Sequence, residues 1–248
     1  MQGRPARRGP AGPRNAYRAS ARTPRYCGDP RNRCRSCSRP INALTDLGWI
    51  YLDAGHLQQA SQVLLEAFEL AHSIEDEPGE GGANLGLAEV NLRQNHIDQA
   101  FLEAQAVLQV YTSSHYDLGV ANAERLLAEI YLRYGQLAYA ASLMENAIRL
   151  YRTLIYQRGL AKALVGLGDI QRRRGLLTEA IRAFQQGREK AHQLGTSMVE
   201  SRALLGLGDI SLQQGQPQLA EQMYHEAKAC VRRDSDLEGI RRLVEEGA

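Results

Sequence analysis

Apolar and small residues recur along the chain at a fixed step of 40 positions. Each step holds one apolar stripe with helical spacing, then a turn residue, then a second apolar stripe. The leucines of the first stripe are Leu47, Leu87, Leu127, Leu167 and Leu207, and the alanines of the second are Ala60, Ala100, Ala140, Ala180 and Ala220. A fixed period of this length is typical of proteins built from stacked repeats.

One glycine position ends the first stripe of almost every unit. Gly55, Gly135, Gly175 and Gly215 share this position, and Asn95 takes it in the second unit. Both residue types end helices in the left-handed conformation. The pattern therefore predicts a helix, a tight turn, a longer second helix and a loop in each unit. The predicted first helices are 41–54, 81–94, 119–134, 158–174 and 198–214, and the second helices are 57–74, 97–113, 137–154, 177–194 and 217–232.

We expect an all-α, right-handed solenoid of five helix–turn–helix repeats and a short C-terminal helix. The expected repeats are 41–80, 81–120, 121–160, 161–200 and 201–236. A helix over 237–248 would cover the last repeat with Leu237, Ile240 and Val244.

Local signals refine these boundaries. The segment from Pro78 to Gly82 is predicted to be a linker between the first two units. Asp117 is predicted to cap the first helix of the third unit. Ser197 with Glu200 is predicted to form a capping box at the first helix of the fifth unit.

The first 40 residues differ in composition from the rest of the chain. They contain six of the eight prolines, eleven arginines and no aliphatic residue larger than alanine apart from Met1. Such a segment buries too little apolar surface to offset its ordering entropy, so we expect a disordered basic tail. It is either a solvated tail or a basic arm that contacts nucleic acid, an acidic partner or the acidic first repeats.

Charge is segregated along the chain. Residues 1–40 have a net charge of +10, residues 41–118 of −11, residues 119–233 of +6 and the last fifteen residues of −3. Opposite charges at the two ends of a stack favour head-to-tail self-association. Alternatively, the basic tail folds back onto the first two repeats.

Residues with catalytic or metal-binding chemistry do not form a recognisable constellation. Cys27, Cys34 and Cys37 have one close pair and no neighbouring histidine, which favours free thiols over a structural zinc site. We therefore expect no enzymatic activity, no cofactor and no metal. No apolar stretch is long enough for a membrane span or a secretory signal, so the expected location is the cytoplasm.

The recurring pairs of a leucine and a small residue resemble the tetratricopeptide repeat family. These pairs are Leu47-Gly48, Leu87-Ala88, Leu127-Ala128, Leu167-Gly168 and Leu207-Gly208. Tyr51 and Tyr131 match the aromatic position that follows three residues later, and the five alanines of the second stripe match the small position of the second helix. The units have 40 residues, whereas the family's usual repeat has 34.

The resemblance implies a protein that binds a peptide or partner protein in a concave groove lined by the first helices. The alternative function is a regulatory or sensor module of a bacterial signalling or transcription-regulator system. The groove residues that the resemblance implies are Trp49, Asp53, Glu89, Arg93, Arg125, Glu129, Arg133, Lys162, Asp169, Arg173, Arg202 and Asp209.

Two interpretations stay open for these side chains. The pairs Glu89–Arg93, Glu129–Arg133 and Asp169–Arg173 have the spacing of ion pairs on an exposed helix. Trp49 either covers the open end of the stack or anchors a ligand. The arginines of the fourth and fifth repeats form either a solvated face or a site for an acidic peptide.

Overall fold

The computed structural model describes residues 38–234, with side chains described for residues 39–231. This part of the chain is an all-α stack of five helix pairs and contains no strand, as the 40-residue period predicts. The tail residues 1–37 with Cys27, Cys34 and Cys37, and the predicted C-terminal helix, lie outside the described residues. The helices are α1 (Ser38–Asp53), α2 (Leu57–Ser73), α3 (Glu77–Arg93), α4 (Ile97–Ser113), α5 (Asp117–Arg133), α6 (Leu137–Thr153), α7 (Gln157–Arg173), α8 (Leu177–Gln193), α9 (Ser197–Gln213) and α10 (Pro217–Asp234).

Every connection between these helices has the same short turn. After α1, Gly55 N–H donates to Leu52 O and His56 N–H donates to Tyr51 O, which is the hydrogen-bond pattern of a Schellman motif. A residue with positive φ recurs every 20 positions, both within and between the helix pairs. These residues are Gly55, Glu75, Asn95, His115, Gly135, Ile155, Gly175, Gly195 and Gly215.

The prediction of a longer second helix and a longer loop is therefore wrong. The eight helices from α2 to α9 all have 17 residues. Three of the four turns between units place Glu75, His115 or Ile155 in the left-handed conformation instead of glycine. Because no glycine occupies those turns, the sequence pattern did not indicate them.

The segment from Pro78 to Gly82 belongs to helix α3 and is not a linker. Asp76 caps this helix, with its Oδ1 accepting from Gly79 N–H at 3.3 Å. Pro78 lies in the first turn, where its missing N–H costs no hydrogen bond. Gly81 is buried, and a Cβ atom there would lie 2.6 Å from Tyr111 Cζ of α4. This glycine is explained by close helix packing, which a sequence pattern alone does not separate from a flexible linker.

The other two predicted caps are shifted by one residue. Tyr116 and Thr196 occupy the N-cap positions of α5 and α9, so Asp117 and Ser197 are the first helical residues. Neither N-cap side chain makes a capping hydrogen bond. Asp117 still favours the start of α5 because its carboxylate faces the positive end of the helix dipole.

The repeated small residues are packing positions. Ala60, Ala100, Ala140, Ala180 and Ala220 are all fully buried. In the first helices, a Cβ atom on Gly48 would lie 2.5 Å from Leu64 Cγ, and one on Gly168 would lie 2.6 Å from Phe184 Cδ1. These glycines let the second helix of each pair approach closely, which offsets their cost of up to about 1 kcal/mol in a helix interior.

Candidate functional site

The first helices of the five pairs line one cavity of about 510 Å³, which we call the groove. Eleven of the twelve sequence-predicted residues line it: Trp49, Asp53, Glu89, Arg93, Arg125, Glu129, Arg133, Lys162, Asp169, Arg173 and Arg202. The exception is Asp209, which does not line this cavity. Its carboxylate accepts from Tyr224 Oη at 2.9 Å and lies 3.4 Å from Arg172 Nη1.

Several groove residues are not among the predicted site residues. Leu92 and Leu132 line it from α3 and α5, and Met198, Val199 and Ser201 line it from the start of α9. Leu92 and Leu132 are separated by the 40-residue step, so the repeat pattern contained a signal for them. The three residues of α9 follow no such pattern.

Arg125 lies at the centre of the groove floor. Its Nη1 atom is 2.9 Å from Glu129 Oε1 and its Nη2 atom is 3.5 Å from Glu89 Oε2. Only 7% of its side chain is exposed, so the guanidinium has lost most of its hydration. A buried charge of this kind is tolerated only when it is paired, and two carboxylates from neighbouring helices provide that pairing.

Only one of the three predicted pairs along a helix is formed. Arg93 Nε lies 3.0 Å from Glu89 Oε1, as predicted. The other two predictions are wrong, because Glu129 and Asp169 turn to cations on different turns or helices. Glu129 pairs with Arg125, and Asp169 Oδ2 accepts from Arg202 Nη2 of α9 at 2.8 Å. The groove charges therefore connect neighbouring repeats more than they stabilise single helices.

One ion pair crosses the groove from the first repeat to the fourth. Lys162 Nζ of α7 lies 2.8 Å from both carboxylate oxygens of Asp53 on α1. The same ammonium group lies 5.7 Å from the centre of the Trp49 ring, within the range of a cation–π contact. Burial lowers the pKa of Lys162, and the Asp53 carboxylate opposes that shift. Trp49 is thus a groove residue in contact with a cation of the opposite wall.

The charge environment fixes Glu89 as a carboxylate. Burial alone would raise its pKa, but the positive charges of Arg125, Arg93 and Lys162 outweigh burial and hold the pKa at about 2. The Oε2 atom of Glu89 is buried and accepts no hydrogen bond. Glu89 therefore acts as the anionic centre around which the cations of three helices are arranged.

Two arginines of the groove have no ion pair among the described residues. Arg133 and Arg173 follow the acidic residues of α5 and α7 by one helical turn, and both are exposed. Arg173 Nη1 donates only to the Leu132 carbonyl, at 3.4 Å. The lining contains six basic and four acidic side chains, so these two arginines account for its surplus of positive charge.

This fold and groove define a helix-pair repeat protein with a concave surface formed by the first helix of each pair. Two family models described as tetratricopeptide repeat match the chain, one over residues 45–115 and the other over residues 159–233. The chain belongs to the tetratricopeptide repeat family. Repeats of this family indicate a scaffold for protein–protein interaction and are generally not enzymatic.

Solved structures of other repeat proteins have a similar fold. BtubC (BKLC) from P. vanneervenii is 18% identical with a TM-score of 0.56, and the match covers 81% of this chain and 90% of that one. The apo form of RapI is 12% identical with a TM-score of 0.55, covering 79% and 85%. The repeats of a putative kinesin light chain from Podosopora anserina are 16% identical with a TM-score of 0.50, covering 78% and 96%. These similarities establish the fold alone.

No curated protein sequence matches this chain. Within residues 38–234, none of the helices has both the length and the apolar character needed to cross a bilayer.

Proposed function

We propose that this protein is a scaffold that binds an acidic peptide segment of a partner protein in the groove. The observation that carries this proposal is the presence of two exposed arginines, Arg133 and Arg173, without an ion pair among the described residues. Every carboxylate that lines the groove already has a cation within 4 Å. A ligand carboxylate would therefore meet unused positive charge, whereas a ligand cation would have to displace an existing partner.

The apolar part of the groove supports a peptide over a small anion. Met198 and Leu205 of α9 line the cavity beside the charged residues, and they are 37% and 46% exposed. Apolar side chains of a peptide would gain about 25 cal/mol for each square ångström of surface that they bury there. The paired charges around them provide direction and specificity more than affinity.

The test is to select peptides from a random displayed library on the full chain and to measure their affinity by fluorescence anisotropy. We expect the selected peptides to be rich in Asp and Glu. The double variant Arg133→Glu with Arg173→Glu should weaken their binding about tenfold or more, because two attractive charges become repulsive. These two arginines are preferable to Arg202, whose replacement would also break its pair with Asp169.

A matched control reverses two exposed arginines outside the groove. Arg152 on α6 and Arg182 on α8 lie together on the second-helix side of the stack. Arg152→Glu with Arg182→Glu changes the net charge by the same amount and should leave the affinity unchanged. Equal weakening in both variants would indicate a general charge effect, and selected peptides that bind the groove variant as tightly as the native protein would contradict the proposal.

A regulatory or sensor module, the alternative from the sequence, would use the same groove. The same peptide selection tests the ligand that both roles require.

A further inference from the structure

The pair of Asp53 and Lys162 joins two helices that are far apart along the stack. Packed helices lie about 8–10 Å apart, so α1 and α7, three repeats apart, would be separated by roughly 24–30 Å in a straight stack. Their side chains nevertheless meet at 2.8 Å. The stack must therefore curl strongly to form this contact, and the contact in turn stabilises the curl.

The pair is also accessible from the groove. The Lys162 side chain is 20% exposed and that of Asp53 is 33% exposed, and both line the cavity. A partly exposed pair of this kind favours the closed form only modestly, because water and salt screen it. A ligand group in the groove can thus compete for either partner at a modest cost.

We propose that Asp53 and Lys162 form a clasp that keeps the groove closed, and that a carboxylate of the ligand opens it by replacing Asp53 on Lys162. This inference rests on the proposed function, since it assigns a role to one contact of the same groove. Release of Asp53 withdraws a negative charge from the cavity and leaves Lys162 with Arg133 and Arg173 as three cations for an acidic ligand. Opening also separates Trp49 from the Lys162 ammonium group, so the indole becomes more exposed to water.

The charges around the clasp favour an anion as the ligand that opens it. Arg125 is close enough to lower the pKa of Lys162 by repulsion, so the cations of this region repel one another. A ligand carboxylate relieves this repulsion, whereas a ligand cation that binds Asp53 would add to it.

Trp49 provides a specific signal, because it is the single tryptophan of the chain. The probe is a dye-labelled hexaglutamate peptide added to the full-length protein. Binding is followed by anisotropy of the dye, and clasp opening by the emission of Trp49. We expect hexaglutamate to bind and to shift the Trp49 emission to longer wavelength, while hexalysine leaves that emission unchanged.

Two variants open the clasp from opposite sides and should change affinity in opposite directions. Asp53→Asn removes the internal competitor, so hexaglutamate should bind about three- to tenfold more tightly. Lys162→Met removes the group that receives the ligand carboxylate, so hexaglutamate should bind several-fold more weakly. Both variants should show a red-shifted Trp49 emission before any ligand is added.

A charge exchange serves as the control for folding and closure. Asp53→Lys combined with Lys162→Asp rebuilds the ion pair with reversed direction, so the Trp49 emission of the free protein should return to that of the native protein. Helix content from circular dichroism should be the same in all variants. A charge exchange that leaves the emission red-shifted would show that the pair does not control closure.

The clasp and the proposed function fail in different ways. If hexaglutamate binds but Trp49 emission stays constant, or if both single variants change affinity in the same direction, the clasp is refuted while acidic binding in the groove stands. If hexaglutamate does not bind, or if hexalysine shifts the emission, the clasp is also refuted. The proposed function is judged separately by the peptides selected from the library and by the variant at Arg133 and Arg173.

Discussion

Arg125 of α5 contacts Glu89 of α3 on the groove floor, with Nη2 3.5 Å from Oε2 and with 7% and 5% of the two side chains exposed. The same guanidinium donates to Glu129 one turn further along α5. Because these groups are held away from water, each relies on the others for compensation of its charge. One buried arginine therefore stabilises two acidic groups in the middle of the stack.

The substitution Arg125→Met tests this arrangement. It leaves Glu89 and Glu129 without their shared cation, and we expect the free energy of unfolding to fall by about 3–5 kcal/mol. Urea unfolding followed by circular dichroism measures the change. The control Arg182→Met, at an exposed position on α8, should change stability by less than about 0.5 kcal/mol. A loss at Arg125 no larger than that of the control would mean that the buried charges are compensated by other groups.

The lowered pKa of Glu89 predicts a loss of folding stability in acid. Its pKa is about 2 in the folded protein and 4.5 as a reference value. A depressed pKa stabilises the folded state above pH 4.5, and this contribution, about 3 kcal/mol, is lost as the pH falls towards 2. Urea unfolding between pH 2 and pH 5 should give a shallower dependence for Glu89→Gln than for the native protein. Parallel curves for the two proteins would contradict the depressed pKa.

Two adjacent glycines distinguish helix packing from a linker at the start of α3. A Cβ atom on Gly81 would lie 2.6 Å from Tyr111, whose buried ring donates from Oη to the Pro78 carbonyl. Gly81→Ala should therefore destabilise the protein by about 1–3 kcal/mol through overpacking. At Gly82 the nearest atom is 3.7 Å away, so Gly82→Ala should stabilise the helix by up to about 1 kcal/mol. Thermal unfolding measures the stability of the two variants. Similar changes in stability at Gly81 and Gly82 would favour a flexible linker over a packed helix.

Ile155 is a turn residue with a strained backbone, and a substitution can relieve that strain. Its φ is +56°, a conformation that costs roughly 1–2 kcal/mol for an ordinary side chain, and 76% of the residue is exposed. Ile155→Gly should raise the free energy of unfolding by about 0.5–1 kcal/mol. This gain is smaller than the strain that it removes, because the glycine also gains freedom in the unfolded chain. The reverse comparison is Gly175→Ala, which should lower stability by about 1 kcal/mol at an equivalent turn. Urea unfolding measures both free energies. A lower stability for Ile155→Gly than for the native protein would mean that the Ile155 side chain stabilises the fold by more than its backbone strain costs.

The sequence by itself determined the helices and their stacking, because packing repeats in register. Ala60 and its four equivalents had to be small for two helices to touch, and Gly55 had to follow a helix end. The resemblance to the tetratricopeptide repeat family, applied to positions 40 apart in this sequence, also predicted eleven of the residues that line the groove. The sequence pattern did not predict the short turns at Glu75, His115 and Ile155, because the local sequence carries no glycine there. The packing of the helices on either side holds these residues in the left-handed conformation.

Only the tertiary structure decided which charges meet. Glu129 and Asp169 had Arg133 and Arg173 four residues further along their own helices, yet Glu129 pairs with Arg125, one turn earlier on α5, and Asp169 pairs with Arg202 of α9. Arg125 is buried, so its charge depends on that pairing more than the exposed Arg133 would. Lys162 meets Asp53 across 109 positions because the curvature of the stack accumulates over three repeats. That curvature is the sum of small rotations at many helix contacts, and no local pattern of residues records it.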